Sequence, residues 1–288
     1  MLTTFLGVLF DGLAAGCLLF LISIGLSVTM GMMNFLNLAH GAFAMLGGYL
    51  CLVAMTQYGV PFLATLPLAM VVCGLAGALL ERLLFRHMYR AGHLEQVLLT
   101  FGLVFMSIAA ATYVWGPEQQ TMRLPPFLTG QVMAFGVEFG TYRLFLVMVV
   151  VVITLLMVFF VERTRFGAQV RAAVDNPQAS VGLGIDVDRV FSITFALGSA
   201  LAGLGGALGI DVLGLDPTFP LKYLVYFLLV VTVGGAGGIK GPLIAALILG
   251  VFDIIGKYYV PQIGAFIIYA LMVGLLLAFP AGLFGRRT

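Results

Sequence analysis

Long apolar runs, separated by short polar connections, fill most of the chain. About twenty apolar residues allow an α-helix to cross the hydrocarbon core of a bilayer. We place nine such spans, with approximate bounds 6–28, 35–56, 62–85, 94–115, 144–161, 190–213, 223–233, 243–255 and 266–283. The seventh and eighth are short, which indicates broken or buried helices. The pattern predicts an all-α, polytopic membrane protein with eight or nine transmembrane helices in a single transmembrane domain, 1–288.

The composition supports this interpretation. Of 288 residues, 62% are hydrophobic and 9% are charged, whereas a typical soluble domain carries about 25% charged residues. A soluble fold could not bury this much apolar surface, which excludes a soluble enzyme and a nucleic-acid-binding domain. Membrane lipid is the expected surrounding. The 37 glycines include series spaced by four, such as Gly198, Ala202 and Gly206, which predict close helix packing.

The basic residues are unevenly divided between the two sets of connections. Four lie in one set, and ten lie in the other: Arg82, Arg86, Arg90, Arg163, Arg165, Arg171, Arg189, Lys240, Arg286 and Arg287. Because connections rich in Lys and Arg stay in the cytoplasm, we expect the N-terminus outside and the C-terminus inside. Two long polar stretches then face opposite sides, an outer loop at 116–142 and a cytoplasmic segment at 162–188.

The sequence lacks motifs for nucleotide binding and for a proton relay. The glycine-rich run 234–241 lacks the Gly-Lys-Ser/Thr of a phosphate-binding loop, so it predicts a tight turn. The ionisable residues inside apolar stretches are few: Asp11, His40, Glu95, Asp211 and Asp253. They do not form the stacked relay of a proton-driven pump, and a partner for Asp253 cannot be named. The sequence therefore argues against an enzyme and against a metal bound by this chain.

A short polar motif lies near the start of the second span. Asn34, Asn37 and His40 are spaced by three, and Gly41 follows them. On a helix this spacing places the three polar side chains on one face, which predicts a polar stripe near a permeation path. The alternative is structural, with Asn34 as a helix cap and the other two side chains in hydrogen bonds between helices.

The segment 162–188 contains two helix-start signals. Thr164 can cap one short helix, and Asn176 followed by Pro177 is typical of a cap with proline at the first helical position. Gly182 or Gly184 then predicts the end of a helix of about two turns. A capped helix among arginines is suited to docking into a groove on another protein. A solvated loop at the membrane interface is the alternative.

Taken together, these motifs resemble one family. The run 33–41, the segment around 163–185 and the glycine-rich run 234–242 are similar, in this order, to the branched-chain amino acid ABC transporter permeases of the LivH type. Asn37 and Leu38 depart from the family's usual Asn-Phe before Ala-His. The resemblance implies an ABC importer permease fold in the bacterial inner membrane. It also implies a substrate pathway at Asn34, Asn37, His40 and Gly41.

The same resemblance implies a cytoplasmic coupling segment within 162–188. Its coupling residues would be Arg163, Arg165, Phe166, Gly167, Arg171, Asp175, Asn176, Pro177, Gln178, Ala179, Leu183 and Gly184. The implied partners are two cytoplasmic ABC ATPase subunits, a second permease subunit (a paralogue or a second copy) and a periplasmic substrate-binding protein. ATP and Mg would bind to the ATPases, with no cofactor on this chain. Closure of the ATPases would drive alternating access.

Other functions stay open at this point. The main alternative is a self-sufficient channel or secondary transporter for a small neutral solute such as urea or a short amide. A membrane enzyme or structural subunit is a weaker one. Within the family resemblance, the solute is a branched-chain or other hydrophobic amino acid, or a related small solute. The coupling segment separates the ABC permease from the other interpretations, since only the permease needs an external motor.

Overall fold

The computed structural model describes residues 2–33, 35–89, 91–134, 136–278 and 282–283. Its helices are α1 (Leu2–Met33), α2 (His40–Thr56), α3 (Phe62–Leu80), α4 (Arg86–Met88), α5 (His93–Trp115), α6 (Thr141–Arg163), α7 (Arg165–Asp175), α8 (Pro177–Gly182), α9 (Val187–Leu213), α10 (Phe219–Gly234), α11 (Lys240–Tyr259) and α12 (Gly264–Ala278). One turn of π-helix, Glu81–Phe85, joins α3 to α4. The outer loop contains a 3-10 turn, Pro126–Leu128, and a hairpin of β1 (Gln131–Ala134) and β2 (Val137–Gly140).

The predicted polytopic helical architecture is confirmed. Within the described ranges, six helices are long and apolar enough to cross a membrane, and shorter apolar helices lie at 40–56, 219–234 and 266–275. The short seventh span is the 16-residue α10, but the eighth was wrongly predicted to be short, because α11 has 20 residues. The antiparallel hairpin at 131–140 was not predicted either. Its tip includes Gly136, whose φ of +76° suits glycine.

Helix α9 forms the centre of the bundle. It packs against α1, α2 and α3, and α1 also packs along α11. Helices α5 and α6 have mostly exposed apolar surfaces, including Phe105, Leu155 and Phe159. In a membrane protein such surfaces face lipid, whose chains are as apolar as leucine. The core therefore lies around α9, and α5 and α6 form part of its lipid-facing wall.

The glycine series predicted to pack closely lies on α9. If Gly25 of α1 carried a Cβ atom, it would lie 2.5 Å from the Cα of Gly198, and a Cβ on Gly47 of α2 would lie 2.5 Å from the Cα of Gly203. Each of these glycines thus permits backbone-to-backbone contact between two helices. The packing role predicted for the series is confirmed at Gly198 and at Gly206, where an added Cβ would collide with the backbone of Ala44 on α2.

Two of the predicted intramembrane acids have partners, at the end of the helix bundle opposite to α7 and α8. Asp11 forms an ion pair with Arg143. Asp253 is buried and accepts hydrogen bonds from the Tyr226 hydroxyl (3.2 Å) and from the Lys257 ammonium group (2.6 Å). These contacts satisfy the carboxylates locally, as expected for acids near an apolar interior.

Candidate functional site

The segment 162–188 folds into two short helices that lie outside the long apolar spans. At the first one, the Thr164 hydroxyl accepts a hydrogen bond from the Gly167 backbone N–H (3.0 Å), as predicted for a helix cap. Helix α7 buries Gly167, Val170 and Ala173 and exposes its other face. The buried face fixes α7 against the bundle.

A single residue separates α7 from α8. The Asn176 backbone N–H donates to the Ala172 carbonyl (2.9 Å) and so ends α7, while its side-chain oxygen accepts from the Ala179 N–H (2.9 Å) and so begins α8. Pro177 occupies the first helical position, where its missing N–H costs nothing. The predicted cap and proline are both confirmed.

The end of α8 is a Schellman motif. Gly184 has a φ of +81°, its N–H donates to the Val181 carbonyl (3.0 Å), and the Ile185 N–H donates to the Ser180 carbonyl (3.0 Å). This pair of bonds satisfies the last carbonyls of a helix. Of the two glycines predicted to stop the helix, Gly184 is the one with the left-handed conformation. Helix α8 is thus closed at both ends by the residues that flank it.

Helix α8 exposes apolar side chains outside the spans. Val181 is 61% exposed, and Leu183, directly after the helix, is 80% exposed. Pro177, Gln178 and Ala179 are exposed as well. Apolar side chains on a polar connection form a small surface that a protein partner could cover.

The predicted coupling residues at the end of α6 and on α7 divide into two groups. Arg163, Arg165 and Asp175 are exposed. The others pack on the end of α6. The Phe166 ring lies 5.7 Å from the Phe160 ring, the Arg171 guanidinium donates to the Val161 carbonyl, and Gly167 is so close to α6 that a Cβ would lie 2.5 Å from the Phe160 carbonyl oxygen. These three residues hold α7 in place.

The far end of α7 reaches the glycine-rich turn between α10 and α11. A Cβ added to Gly237 would lie 3.3 Å from the Val174 side chain, and the Gly237 N–H donates to the Ser27 carbonyl of α1 (3.0 Å). Gly31 is so close to Gly237 that a Cβ there would collide with its backbone. The predicted tight turn is confirmed, and it links α7 to the end of α1.

The predicted polar stripe does not form a helical face. Asn34 lies outside the described residues. Residues 35–39 are not helical, and α2 begins only at His40. The Leu36 backbone N–H donates to the Gln96 side chain (3.2 Å), a long-range bond that replaces a helical one. The prediction of a shared helix face for Asn37 and His40 was therefore wrong. We call residues 35–39 the linker.

The two polar side chains nevertheless lie in the interior. His40 is buried, with its Nε2 atom 2.8 Å from the Ile22 carbonyl of α1. Asn37 is 1% exposed, and its side-chain amide has no hydrogen-bond partner among the described residues. At Gly41, a Cβ would lie 3.0 Å from the Cα of Pro220. The motif therefore occupies the junction of α1, α2 and α10.

The sequence reasoning missed two polar residues beside the linker. Gln96 bonds Leu36, as described above, and its amide group also donates to the Met88 and Ala91 carbonyls (3.2 Å each). Glu81 is 1% exposed within the π-helical turn. Both lie near the predicted ends of spans, where the sequence predicts exposure to solvent. Only the packing shows that they are buried.

Comparison with known proteins places these features in a family. A sequence profile described as branched-chain amino acid transport system / permease component matches residues 8–276. The chain belongs to this family. LivH of Escherichia coli (strain K12), a high-affinity branched-chain amino acid transport system permease protein, is 27% identical over 298 residues, which cover 98% of this chain and 96% of LivH. BraD of Pseudomonas aeruginosa is 26% identical, covering 96% and 95%.

The permease also resembles a second type of transport subunit. LivM of Salmonella typhimurium, named a permease protein of the same kind of system, is 27% identical over 252 residues, which cover 80% of this chain and 59% of LivM. No solved structure matches the chain. The family and the apolar helices identify a multi-pass inner-membrane protein that is a transport subunit rather than an enzyme.

Proposed function

We propose that this permease forms half of the pore of an ATP-driven importer. It would work with a second permease subunit, two cytoplasmic ABC ATPases that bind ATP and Mg, and a periplasmic substrate-binding protein. The names of the relatives LivH, BraD and LivM support a second permease subunit and support branched-chain amino acids as the solutes. A self-sufficient channel is not favoured, because it gives the exposed α8 surface no role.

The observation that carries the proposal is the preformed helix α8. A helix of six residues is not stable by itself in water, yet α8 is closed by Asn176 at one end and by Gly184 at the other. A surface that is already in its bound shape loses less conformational entropy on docking. Val181 and Leu183 offer the apolar contact, and Arg163 and Arg165 are exposed in the same segment.

The contacts of α7 support a route for coupling. An ATPase that moves α8 would also move α7, since Asn176 belongs to the ends of both helices. Helix α7 contacts α6 through Phe166 and reaches the α1 end through Gly237. Movement at these contacts would open the permease alternately to each side. Alternating access requires that the two states differ in their contacts to the ATPase.

The proposal also fixes an orientation. Helix α8 would lie in the cytoplasm, with the N-terminus outside and the C-terminus inside, in agreement with the ten basic residues of the sequence. Of these, Arg90, Arg286 and Arg287 lie outside the described residues. The pairing of Arg86 with Asp188 joins two of the connections that this orientation assigns to the cytoplasm.

The test is a double substitution on α8 in the reconstituted complex. Val181→Asp with Leu183→Asp places two charges on the proposed docking surface, where burial of an unpaired charge is costly. We expect at least a tenfold loss of ATPase association and of ATP-dependent leucine uptake. Tyr58→Asp, at an exposed site of the opposite end (76% exposed), is the control for association and should leave it unchanged.

Two results would count against the proposal. Normal ATPase association and uptake in the double variant would remove α8 as the docking helix. Solute flux in liposomes that contain the permease without ATPases would support the channel instead. The same liposomes, with all subunits present, distinguish leucine, isoleucine and valine from urea as the transported solute.

A further inference from the structure

A buried acid lies at the end of α3. Glu81 is 1% exposed and begins the π-helical turn Glu81–Phe85. A carboxylate in apolar surroundings is costly unless hydrogen bonds satisfy it. π-helical turns within helices are rare and occur frequently at functional sites. Burial of Glu81 therefore requires hydrogen-bond partners, and its place in a π-helical turn is typical of functional sites.

Two hydroxyl groups satisfy this carboxylate. The Tyr89 hydroxyl donates to Oε1 (2.8 Å), and the Ser192 hydroxyl donates to Oε2 (2.5 Å). Burial, and after it the hydrogen bond to Glu81, raises the pKa of Tyr89 far above its usual range, so its hydroxyl stays protonated and remains a donor. The carboxylate thus joins the π-helical turn, the connection after α4 and the first turns of α9. We call these three residues the Glu81 latch.

Aromatic rings connect the latch to the linker. Phe35 of the linker lies 5.7 Å from the Tyr89 ring and 5.3 Å from the Phe85 ring of the π-helical turn. Phe85 in turn lies 5.2 Å from Phe195 of α9, one turn after Ser192. These rings fill the space between the latch and the linker, so displacement of one displaces the other in a close-packed interior.

The latch is joined to α8 through the first turns of α9. Gly184 ends the Schellman motif of α8, and Asp186 caps α9 by accepting a hydrogen bond from the Arg189 N–H (3.0 Å). Ser192 lies six residues after that cap. The Arg86–Asp188 ion pair also joins α4 to α9, but its side chains are 50% and 63% exposed, and exposed pairs contribute little. The buried carboxylate is the stronger link.

We propose that Glu81 is a positioning residue that transmits movement of α8 to the linker that carries Asn37 and leads into His40. This inference rests on the proposed docking of ATPases at α8. Movement of α8 reaches the base of α9, passes through Ser192 and Glu81 to Tyr89 and Phe85, and reaches Phe35. Glu81 thereby connects the ATPase side of the permease to its interior, although it contacts neither ATPase nor solute.

The decisive measurement is the ratio of leucine imported to ATP hydrolysed by the reconstituted complex. Glu81→Leu removes both acceptors with similar side-chain length. We expect normal ATPase association, unchanged basal ATP hydrolysis and a ratio that falls about tenfold. Glu81→Gln keeps one acceptor oxygen and should give an intermediate ratio. The control is Asp188→Asn, which weakens the exposed ion pair and should change the ratio less than twofold.

A second set of variants tests the link itself. Tyr89→Phe and Ser192→Ala each remove one donor, so each should lower the ratio, and combination with Glu81→Leu should add no further loss. A merely structural role would lower uptake and hydrolysis together and leave the ratio unchanged, which would overturn the proposal. If Glu81→Leu does not fold, Tyr89→Phe with Ser192→Ala decides, and an unchanged ratio there overturns it too.

These outcomes separate the inference from the proposed function. If only the latch proposal is wrong, ATPase association still depends on Val181 and Leu183, and the Glu81 variants have a normal ratio of leucine imported to ATP hydrolysed. If the docking proposal is wrong, the α8 double variant still associates normally with the ATPases, whatever the Glu81 variants show. The two measurements use the same reconstituted complex, so they can be compared directly.

Discussion

The cap of α8 allows a quantitative prediction. In Asn176→Ala the side-chain acceptor of the Ala179 N–H is lost. The Asn176 backbone N–H still donates to the Ala172 carbonyl, so the end of α7 is unchanged. The substitution therefore acts on α8 alone. Because Asn176 is exposed, it leaves no cavity and should not change the melting temperature of the permease.

The expected size follows from the cap. Loss of an N-terminal cap costs about 1 kcal/mol, and 1.4 kcal/mol corresponds to a factor of ten. A six-residue helix has few other bonds that could compensate. The equilibrium constant for formation of α8 should fall about fivefold, and the dissociation constant of the ATPase subunits should rise by up to the same factor.

The assay is a titration of the permease in lipid nanodiscs with the ATPase subunits. Asn176→Ser retains a side-chain acceptor at this position and should bind like the unchanged permease. Equal affinities for Asn176→Ala and the unchanged protein would refute the reasoning. Equal weakening by Ala and Ser would show that the amide contacts the ATPase directly and that the cap is not the cause.

Two further predictions concern the interior. Gly25→Ala places a Cβ atom 2.5 Å from the Cα of Gly198, so it should lower the unfolding free energy by about 1–3 kcal/mol and lower the melting temperature in detergent. The matched control is Gly102→Ala, whose added Cβ meets no atom within 4 Å. Equal effects of the two substitutions would contradict the packing argument. His40→Ala with Asn37→Ala removes the bond to Ile22 and should impair leucine uptake while assembly, measured by gel filtration, persists; normal uptake would assign the motif to packing only.

Local signals predicted the caps and ends of the helices in the segment 162–188 well. The caps at Thr164 and Asn176, the proline at 177 and the stop at Gly184 all act within four residues of their own positions. Such interactions depend on neighbours in the sequence, so the sequence is sufficient to find them. The apolar spans were found for a similar reason, since their length is set by the bilayer.

The linker and the latch depend on distant residues. Phe35 to Ala39 have the composition of a helix, but Gln96, sixty residues away from Leu36, takes the N–H that a helix would use. In the sequence, Glu81 resembles an acid at the membrane interface because Arg82 follows it. Its hydrogen bonds from Ser192 and Tyr89 form only in the folded chain. Tertiary contacts of this kind override the local pattern, and no periodicity reveals them.

The glycine contacts of α9 determine which parts of the permease can move separately. Between Gly25 and Gly198, and between Gly47 and Gly203, main chains touch without side chains that could change rotamer. Sliding at these two contacts would bring backbone atoms into collision, so the parts of α1 and α2 that contact Gly198 and Gly203 of α9 form a rigid block, whereas the base of α9 before Gly198 and the linker lie outside it. A change of access would then tilt this block as a unit, and bending would be confined to the segments outside it, which include the linker and the base of α9.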